Sequence, residues 1–386
     1  MLATITTPRI MLIGGGAVRE IADVMAKLGC HKPLLVTDPF MRDSGKVAHV
    51  TEVLKEAGIS WGLFADTVPE PTDDIVITGA GIITQGDFDC VIALGGGSPI
   101  DTAKAMTLLA HGGGTISDYK VPYQANESGL PIIAIPTTAG TGSEVTKVTV
   151  ITHKASDEKM LIMGLGCLPA AAIIDYELTY SVPYRTTADT GIDSLTHAIE
   201  AYVSAKHNPH TDTLALSAMG LIARNIRSAC REPDNQAARE AMMLAATQAG
   251  MAFSNASVCL VHGMSRPIGA FFHVAHGLSN AMLLPTITAF SVPAAMERYA
   301  DCAQAMGLSQ EDTATKTAVN NLLIELRQLN KDLEVPTPKD YGINQEQYFS
   351  LLNTMAEQAL ASGSPNNNPR VPTLEEISAL YREVWA

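Results

Sequence analysis

Residues 89–110 read DCVIALGGGSPIDTAKAMTLLA, an apolar run that leads through three glycines into a segment with helical spacing. The run Asp89–Leu94 predicts a buried strand, Gly95–Ser98 predicts a tight turn, and Ile100–Ala110 predicts a helix capped by Ser98. Glycines let backbone N–H groups approach phosphate oxygens, and a helix N-terminus carries about half a positive charge. The stretch therefore predicts a parallel α/β fold with a phosphate-binding turn; a tight turn that binds nothing is the alternative.

The first half of the chain repeats this alternation of short strands and helices. Further predicted strands are Arg9–Ile13, Pro33–Thr37, Trp61–Ala65 and Leu130–Pro136, with a strand-rich stretch at Val148–Ile174. Further predicted helices are Ala17–Leu28 and Val47–Ala57. Residues 1–182 are therefore expected to form an α/β domain with a Rossmann-like parallel sheet.

After Val182 the strand signal disappears. Helical periodicity, rich in Ala, Met and Leu, runs through Thr186–Ala205, Thr211–Cys230, Ala237–Phe253 and Ala294–Met306. Pro183 disfavours a continuous helix through the join, so the boundary is placed there. Residues 183–386 are expected to form an all-α helical domain, with local disorder around residues 362–368.

The composition is that of a globular protein, and it excludes several classes of partner. The 386 residues are 46% hydrophobic and carry 40 acidic against 26 basic side chains, a net charge of −14. Neither nucleic acid nor an anionic membrane surface is therefore an expected partner. The six cysteines form no close pair, which suits a reducing cytoplasm better than a disulfide framework. We see no targeting signal and no apolar run of about 20 residues.

A second loop of small polar residues follows the predicted strand that ends at Pro136. It reads PTTAGTGSE, residues 136–144. Its Thr137, Thr138 and Thr141 offer hydroxyls that can hold the phosphates or ribose of a nucleotide, although an ordinary Ser/Thr-rich turn is the alternative. Because two such loops follow strands, each supports the other as part of a nucleotide site.

An acidic residue closes another predicted strand. Asp38 follows Pro33–Thr37 and lies roughly twenty residues beyond Gly14–Gly16, the spacing at which a nucleotide-binding unit places its ribose-reading acid. A carboxylate there favours NAD over NADP because it repels a 2′-phosphate. The glycine run lacks the full G-x-G-x-x-G spacing and Asp-Pro is also a common turn, so both interpretations stand.

Four residues of the second half have the types expected of a metal site. Asp193 and His197 are four apart in a helical segment, so their side chains share one face, and His262 and His276 lie far down the chain. One carboxylate and three imidazoles suit Fe(II), Zn(II) or another divalent transition metal. A polar i, i+4 pair and hydrogen-bonded core histidines are the alternative.

Four longer motifs occur together in the chain. They are GGGSPIDTAK (95–104), IPTTAGTGSE (135–144), GID with HAIEAY (191–193 and 197–202), and HG followed by NAMLLP (276–277 and 280–285). With them the chain resembles the iron-containing (group III) alcohol dehydrogenases, of dehydroquinate synthase-like fold, along nearly its whole length. The resemblance implies a dinucleotide-binding α/β domain, an all-helical metal-binding domain, an active site in the cleft between them, and a homodimer or higher homo-oligomer.

The resemblance also implies the cofactors and the residues that hold them. The cofactors are NAD and Fe(II), with Zn(II) or another divalent metal as the alternative. Motif matching assigns the metal to Asp193, His197, His262 and His276. It assigns the cofactor contacts to Asp38, Gly96, Gly97, Ser98, Thr137, Thr138, Thr141 and Lys159.

The expected function is hydride transfer between NAD(H) and a small alcohol or aldehyde, that is, a primary alcohol, a diol or a hydroxy acid. Two alternatives remain at this point. One is a polyol dehydrogenase similar to the glycerol dehydrogenases, which have a similar two-domain plan. The other is an inactive homologue that binds NAD without turnover.

The chain departs from the family pattern at one position. Many members carry a histidine four residues after the third metal ligand, where this sequence has Arg266 followed by Pro267. Arginine stays protonated and cannot relay a proton, so His273 is the candidate for that role. Arg266 is a candidate for pairing with a substrate carboxylate; bracing a helix C-terminus or a subunit contact is the alternative.

Overall fold

The computed structural model describes residues 2–386, which form two compact units. One unit spans Thr6–Val182. The other spans Pro183–Ala386 and takes in residues 2–5 as well. The chain therefore passes from one unit to the other twice, between Ile5 and Thr6 and between Val182 and Pro183.

The unit Thr6–Val182 contains eight strands. They are β1 (Ile10–Ile13), β2 (Pro33–Val36), β3 (Gly62–Phe64), β4 (Cys90–Gly95), β5 (Ile132–Pro136), β6 (Val148–His153), β7 (Glu158–Met163) and β8 (Ala171–Ile174). Six of them form one sheet in the order β1-β8-β5-β4-β2-β3, with every neighbouring pair parallel. The remaining two, β6 and β7, form a separate antiparallel pair.

Helices cover both faces of the six-stranded sheet. They are α1 (Ile21–Leu28), α2 (Pro39–Asp43), α3 (Lys46–Glu56), α4 (Asp73–Gln85) and α5 (Gly97–Gly112). Val91 and Ala93 of β4 pack in one core with α4 and α5, whereas Ile92 and Leu94 pack in another with α1 and α3. This division arises because successive side chains of a strand point to opposite faces, and it explains why β4 is apolar throughout.

The order of the strands places three loops side by side. β2, β4 and β5 are neighbours and run parallel, so the residues that follow them lie along one carboxyl edge. Those residues include Asp38, Gly96 and Thr137. Open α/β sheets bind their ligands at this edge.

The unit that begins at Pro183 is helical, and within residues 183–386 no strand occurs. Its helices are α6 (Tyr184–Val203), α7 (Pro209–Arg231), α8 (Gln236–Ala256), α9 (Leu260–Phe272), α10 (His276–Ser291), α11 (Met296–Ala305), α12 (Thr315–Asp332), α13 (Gln345–Ser350), α14 (Leu352–Ala361) and α15 (Leu374–Val384). The predicted parallel α/β half followed by a helical half is confirmed. Across residues 2–386 no single helix is long and apolar enough to cross a membrane, and α8 with α9 reaches that limit only as a pair bent by 103°.

Two local predictions are wrong. Helix α5 begins at Gly97 with Gly96 as its N-cap and no side-chain cap, so Ser98 lies inside the first turn instead of capping it. Residues 362–368 are packed instead of disordered, because the amides of Asn367 and Asn368 are buried and donate to Ser257 Oγ and Ser291 Oγ. A polar composition indicates disorder only where such partners are absent.

Candidate metal and nucleotide sites

The four predicted metal ligands converge in the helical unit. One ligand atom from each of Asp193, His197, His262 and His276 lies within 4.8 Å of all the others. Asp193 Oδ1 is 3.4 Å from His262 Nε2, 3.8 Å from His276 Nε2 and 3.9 Å from His197 Nε2. One carboxylate oxygen thus faces three imidazole nitrogens.

Exposure is uneven across this cluster. The side chains of Asp193, His197 and His262 are at most 5% exposed, whereas that of His276 is 44% exposed. The rings of His197 and His262 stack with centroids 4.5 Å apart. Three of the four side chains are therefore shielded from solvent, and the cluster is accessible at His276.

Close packing of α10 on α6 brings His276 to Asp193. A Cβ on Gly277, the next residue, would lie 2.6 Å from the carbonyl oxygen of Asp189 on α6. Only glycine permits this approach without a shift of one helix. The glycine of the HG motif therefore positions the histidine before it.

Glu200 holds His262 in place. Its Oε2 lies 2.6 Å from His262 Nδ1 and accepts a hydrogen bond from the backbone N–H of Cys259, while Oε1 accepts one from that of Val261. The bond at Nδ1 leaves Nε2 to face Asp193, the arrangement by which a carboxylate orients a metal-binding histidine. Burial opposes the charged ring, but Glu200 and Asp193 outweigh it and raise the pKa of His262 to about 9.

Asn280 lies at the centre of the cluster. Its Nδ2 donates to Asp193 Oδ1 at 2.6 Å and is 3.2 Å from both His262 Nε2 and His276 Nε2. Its Oδ1 is buried and, within residues 2–386, has no hydrogen-bond partner. Several acceptors thus share one neutral donor while an amide oxygen lacks a partner, so the cluster fits a cation better than it fits a purely structural network.

Neither Glu200 nor Asn280 was predicted from the sequence to belong to the site. Both lie on helices that carry ligands, Glu200 three residues after His197 and Asn280 four residues after His276. Such spacings put side chains on one helix face. That spacing was the available signal, but polar residues three or four apart are common on helices.

The two catalytic candidates lie near the cluster along the chain. Arg266 is on α9, one turn after His262, and is partly buried. His273 ends α9 in the left-handed conformation, with φ of 54°, and its side chain is exposed. In the part of the chain that the structure describes, no hydrogen bond or ring contact joins His273 to the four ligands.

The two loops predicted to bind a nucleotide are in contact in the Thr6–Val182 unit. A Cβ on Gly97 would lie 3.0 Å from Thr141 Cγ2, and one on Gly96 would lie 3.4 Å from Thr138 Oγ1. Thr137 Oγ1 is buried and lacks a hydrogen-bond partner among the described residues. A narrow cradle of glycine backbone and hydroxyls therefore lies at the carboxyl edge, as a phosphate or ribose requires.

A buried lysine fastens the second loop to α5. Lys104 Nζ donates to Ser143 Oγ, Thr146 O and Val148 O at 2.7–3.0 Å. Ser143 Oγ in turn donates to Asp101 Oδ1 at 2.5 Å. Burial lowers the pKa of Lys104 and raises that of Asp101, and each charge opposes the other's shift. These residues hold the shape of the loop.

The structure changes the argument for Asp38. The strand β1 that precedes Gly14–Gly16 is at the far end of the sheet from β2, and the N–H of Gly16 already donates to Asp175. The spacing argument from Gly14–Gly16 is therefore wrong, because the glycine turn beside β2 is the one that follows β4. Asp38 nevertheless lies at the carboxyl edge, where its Oδ1 caps α2 by accepting from the N–H of Met41 at 2.8 Å.

Lys159 lies apart from that edge. It is on β7 of the two-stranded sheet, and its Nζ is paired with Glu70 Oε1 at 2.5 Å. Ser98, by contrast, is in the first turn of α5 beside Gly97. The structure thus brings together the predicted cofactor residues of the three loops but not Lys159.

Comparison with known proteins covers both units. A model of the family described as "Iron-containing alcohol dehydrogenase" matches residues 8–176, and one described as "Fe-containing alcohol dehydrogenase family, C-terminal" matches residues 187–385. The chain is 35% identical to an NAD-dependent methanol dehydrogenase from Bacillus methanolicus, over 97% of this chain and 98% of that protein.

Two solved structures are similar over the whole chain. The crystal structure of a 1,3-propanediol oxidoreductase matches with a TM-score of 0.95 and 35% identity, covering 100% of both chains. A sulfoacetaldehyde reductase from Bifidobacterium kashiwanohense, solved in complex with NAD+, matches with a TM-score of 0.90 and 31% identity, covering 100% of this chain and 99% of that one.

Proposed function

Because the chain belongs to the iron-containing alcohol dehydrogenase family, we propose that its metal is held by the four residues that converge in the helical unit: Asp193, His197, His262 and His276. The observation that supports this most directly is that one ligand atom of each lies within 4.8 Å of the others. One carboxylate and three imidazoles suit iron and other divalent transition metals.

The chain is an alcohol dehydrogenase that transfers hydride between NAD(H) and a small alcohol or aldehyde. NAD(H) and iron are the cofactors of its family. The polyol dehydrogenase and inactive alternatives are not favoured, since both halves match the iron-containing alcohol dehydrogenases.

We assign the nucleotide to the carboxyl edge of the sheet, at Asp38, Gly96, Gly97, Ser98, Thr137, Thr138 and Thr141. Thr137 Oγ1, which has no hydrogen-bond partner within residues 2–386, and the glycine backbone are available to its phosphates and ribose. The Asp38 carboxylate favours a free ribose 2′-hydroxyl over a 2′-phosphate. Lys159 is also proposed as a cofactor contact, for which its ammonium would have to exchange its pairing with Glu70 for one with the nucleotide.

The bound metal supplies a Lewis acid for the alcohol oxygen, and NAD+ supplies the hydride acceptor. The protein orients these groups: Glu200 fixes His262, and Gly277 lets α10 bring His276 to Asp193. The opening beside His276 admits the substrate. His273 is exposed and lies three residues before His276 in the chain. We propose that it exchanges the proton of the substrate hydroxyl with solvent.

The metal assignment is tested with Asp193→Ala and His197→Ala. Both variants should lose metal content and turnover together while keeping NAD binding, whose residues lie in the other unit. His210→Ala, which removes an exposed histidine of α7, is the matched control and should keep both. A metal-free His197→Ala protein with full turnover would refute the assignment.

We also propose a homodimer or higher homo-oligomer in the cytoplasm. The six cysteines are free and buried, which suits a reducing compartment. The net charge of −14 argues against nucleic acid and anionic membranes as partners. Light scattering on the purified protein measures the oligomer, and a monomeric mass at micromolar concentration would contradict this proposal.

A further inference from the structure

Arg266 lies beside the metal cluster and has no role in holding it together. It is on α9 four residues after His262, so the two side chains share one helix face. Four residues of helix rise by about 6 Å along the axis. The Arg266 side chain therefore begins one helical turn from that of His262, and its charge is close enough to interact with Glu200, the partner of His262.

The guanidinium of Arg266 lacks an acceptor. Across residues 2–386 it makes no hydrogen bond and no ion pair. Other partly or fully buried arginines of the same unit all have acceptors: Arg185 binds Asp189 and Leu333 O, Arg227 binds Glu325 and Asp332, Arg239 binds Pro233 O and Thr187 Oγ1, and Arg298 binds Asp212 and Tyr202 O. Arg266 is the exception among these.

The charge of Arg266 is compensated only in part. Burial lowers its pKa, and Glu200 is the carboxylate that opposes this shift. Glu200, however, already binds His262 and the backbone N–H groups of Cys259 and Val261. Arginine remains protonated at any working pH, and a partly desolvated charge without a partner is costly. An anion from outside the chain would remove that cost.

Two other roles for Arg266 are less consistent with this geometry. Bracing a helix C-terminus requires a carbonyl acceptor, and in the described structure Arg266 has none. Proton relay requires a group that titrates, which arginine does not. A planar carboxylate, by contrast, matches the guanidinium through two parallel hydrogen bonds.

We propose that the substrates of this enzyme are short hydroxy acids and the corresponding aldehyde acids, and that Arg266 binds their carboxylate while the hydroxyl or carbonyl lies at the cluster opening beside His276. This inference rests on the proposed function. In the oxidative direction the carbinol carbon gives its hydride to NAD+, the hydroxyl gives its proton to solvent, and the C–O bond becomes a carbonyl. The carboxylate is unchanged, so the reaction balances without another reactant.

The test compares two substrates that differ only at the far end. 3-Hydroxypropionate and 1,3-propanediol have three carbons and one terminal carbinol in common, but only the first is an anion. kcat/KM is measured for both with the Fe(II)-loaded and the Zn(II)-loaded enzyme. We expect the wild type to prefer the acid, and Arg266→Gln to lower the acid-to-diol ratio by about 10- to 100-fold, since it removes a charged bidentate pair.

Matched variants distinguish the effect of the positive charge at position 266 from the effect of losing any positive charge on the protein. Arg266→His introduces the residue common in the family and should also lower the ratio. Arg327→Gln removes an exposed arginine of α12 and should leave the ratio at its wild-type value. An equal loss of the ratio in Arg327→Gln would overturn the proposal.

Binding provides a readout that does not depend on turnover. Propionate carries the carboxylate without an oxidisable carbinol, and calorimetry should detect its binding to the NAD-loaded wild type but not to Arg266→Gln. Two results for Arg266→Gln would overturn the inference and leave the alcohol dehydrogenase function standing. One is an unchanged acid-to-diol ratio of kcat/KM, and the other is a changed oligomeric mass with that ratio unchanged. Absence of NADH formation with every alcohol would overturn both.

Discussion

Gly277→Ala should weaken the metal site without touching a ligand. The added Cβ would lie 2.6 Å from Asp189 O and 2.9 Å from Asp189 C, where ordinary contact begins at 3.4 Å. The obstacle is the backbone of α6, so no side chain can rotate away. The start of α10 must therefore shift by up to about 0.8 Å relative to α6, a distance that follows from these contacts.

That shift exceeds what a metal site tolerates, because ligand distances in such sites vary by only about 0.2 Å. His276 adjoins Gly277 and moves with it. We expect metal affinity to fall by about 10- to 100-fold, as when groups that orient ligands are lost. We also expect the free energy of unfolding to fall by about 1–3 kcal/mol from overpacking.

A chelator-competition titration measures the affinity, and urea unfolding of the metal-free protein measures the stability. Gly81→Ala is the control, since Gly81 lies in α4 and its Cβ would meet only Gln85 Nε2, at 4.0 Å. That variant should be more stable by about 0.5–1 kcal/mol, because glycine disfavours helix. Wild-type metal affinity in Gly277→Ala would refute the argument that the packing of α10 on α6 positions His276.

Three further predictions concern residues around the two sites. Glu200→Gln keeps the shape of the side chain but removes the charge that faces His262, so metal affinity in the chelator titration should fall about 10- to 100-fold; an unchanged affinity would contradict the orienting role. Thr137→Val removes a buried hydroxyl that has no hydrogen-bond partner in the described part of the chain, so the free energy of unfolding should stay the same or rise while NAD affinity, measured by fluorescence titration, falls about 10-fold; unchanged NAD affinity would remove Thr137 from the site. Asp38→Ala removes the cap on α2 and should lower the free energy of unfolding by about 1 kcal/mol. It should also lower the ratio of kcat/KM with NAD to kcat/KM with NADP; a ratio equal to that of the wild type would argue against Asp38 as the ribose-reading acid.

The sequence predicted the fold class because that class depends on local pattern. Continuous apolar runs such as Cys90–Leu94, within the predicted strand Asp89–Leu94, indicate strands buried on both faces, and β4 and β5 are buried throughout. Helix α4 was not predicted, since Gly79 and Gly81 weaken its pattern. Helix α5 begins at Gly97, about one turn before the predicted start at Ile100, because a glycine N-cap leaves no side-chain signal.

The nucleotide site shows where spacing along the chain misleads. Asp38 was located from Gly14–Gly16, but strand order places it beside Gly95–Gly97 instead. Strand order depends on how crossover connections pack, which no local pattern records. Lys159 was assigned to the nucleotide by matching the family's motif, and that match gave no sign that Lys159 pairs with Glu70.

The residue types of the metal site and one of its pairs can be read from the chain without the fold, because the 3.6-residue period of a helix puts Asp193 and His197 on one face. The packing of the helices brings His262 and His276 to that pair and puts Asn280 among them, and it leaves Arg266 without an acceptor within residues 2–386. Those contacts join residues far apart in the chain. They depend on how α6, α9 and α10 pack, and in particular on a glycine at position 277 small enough to allow it.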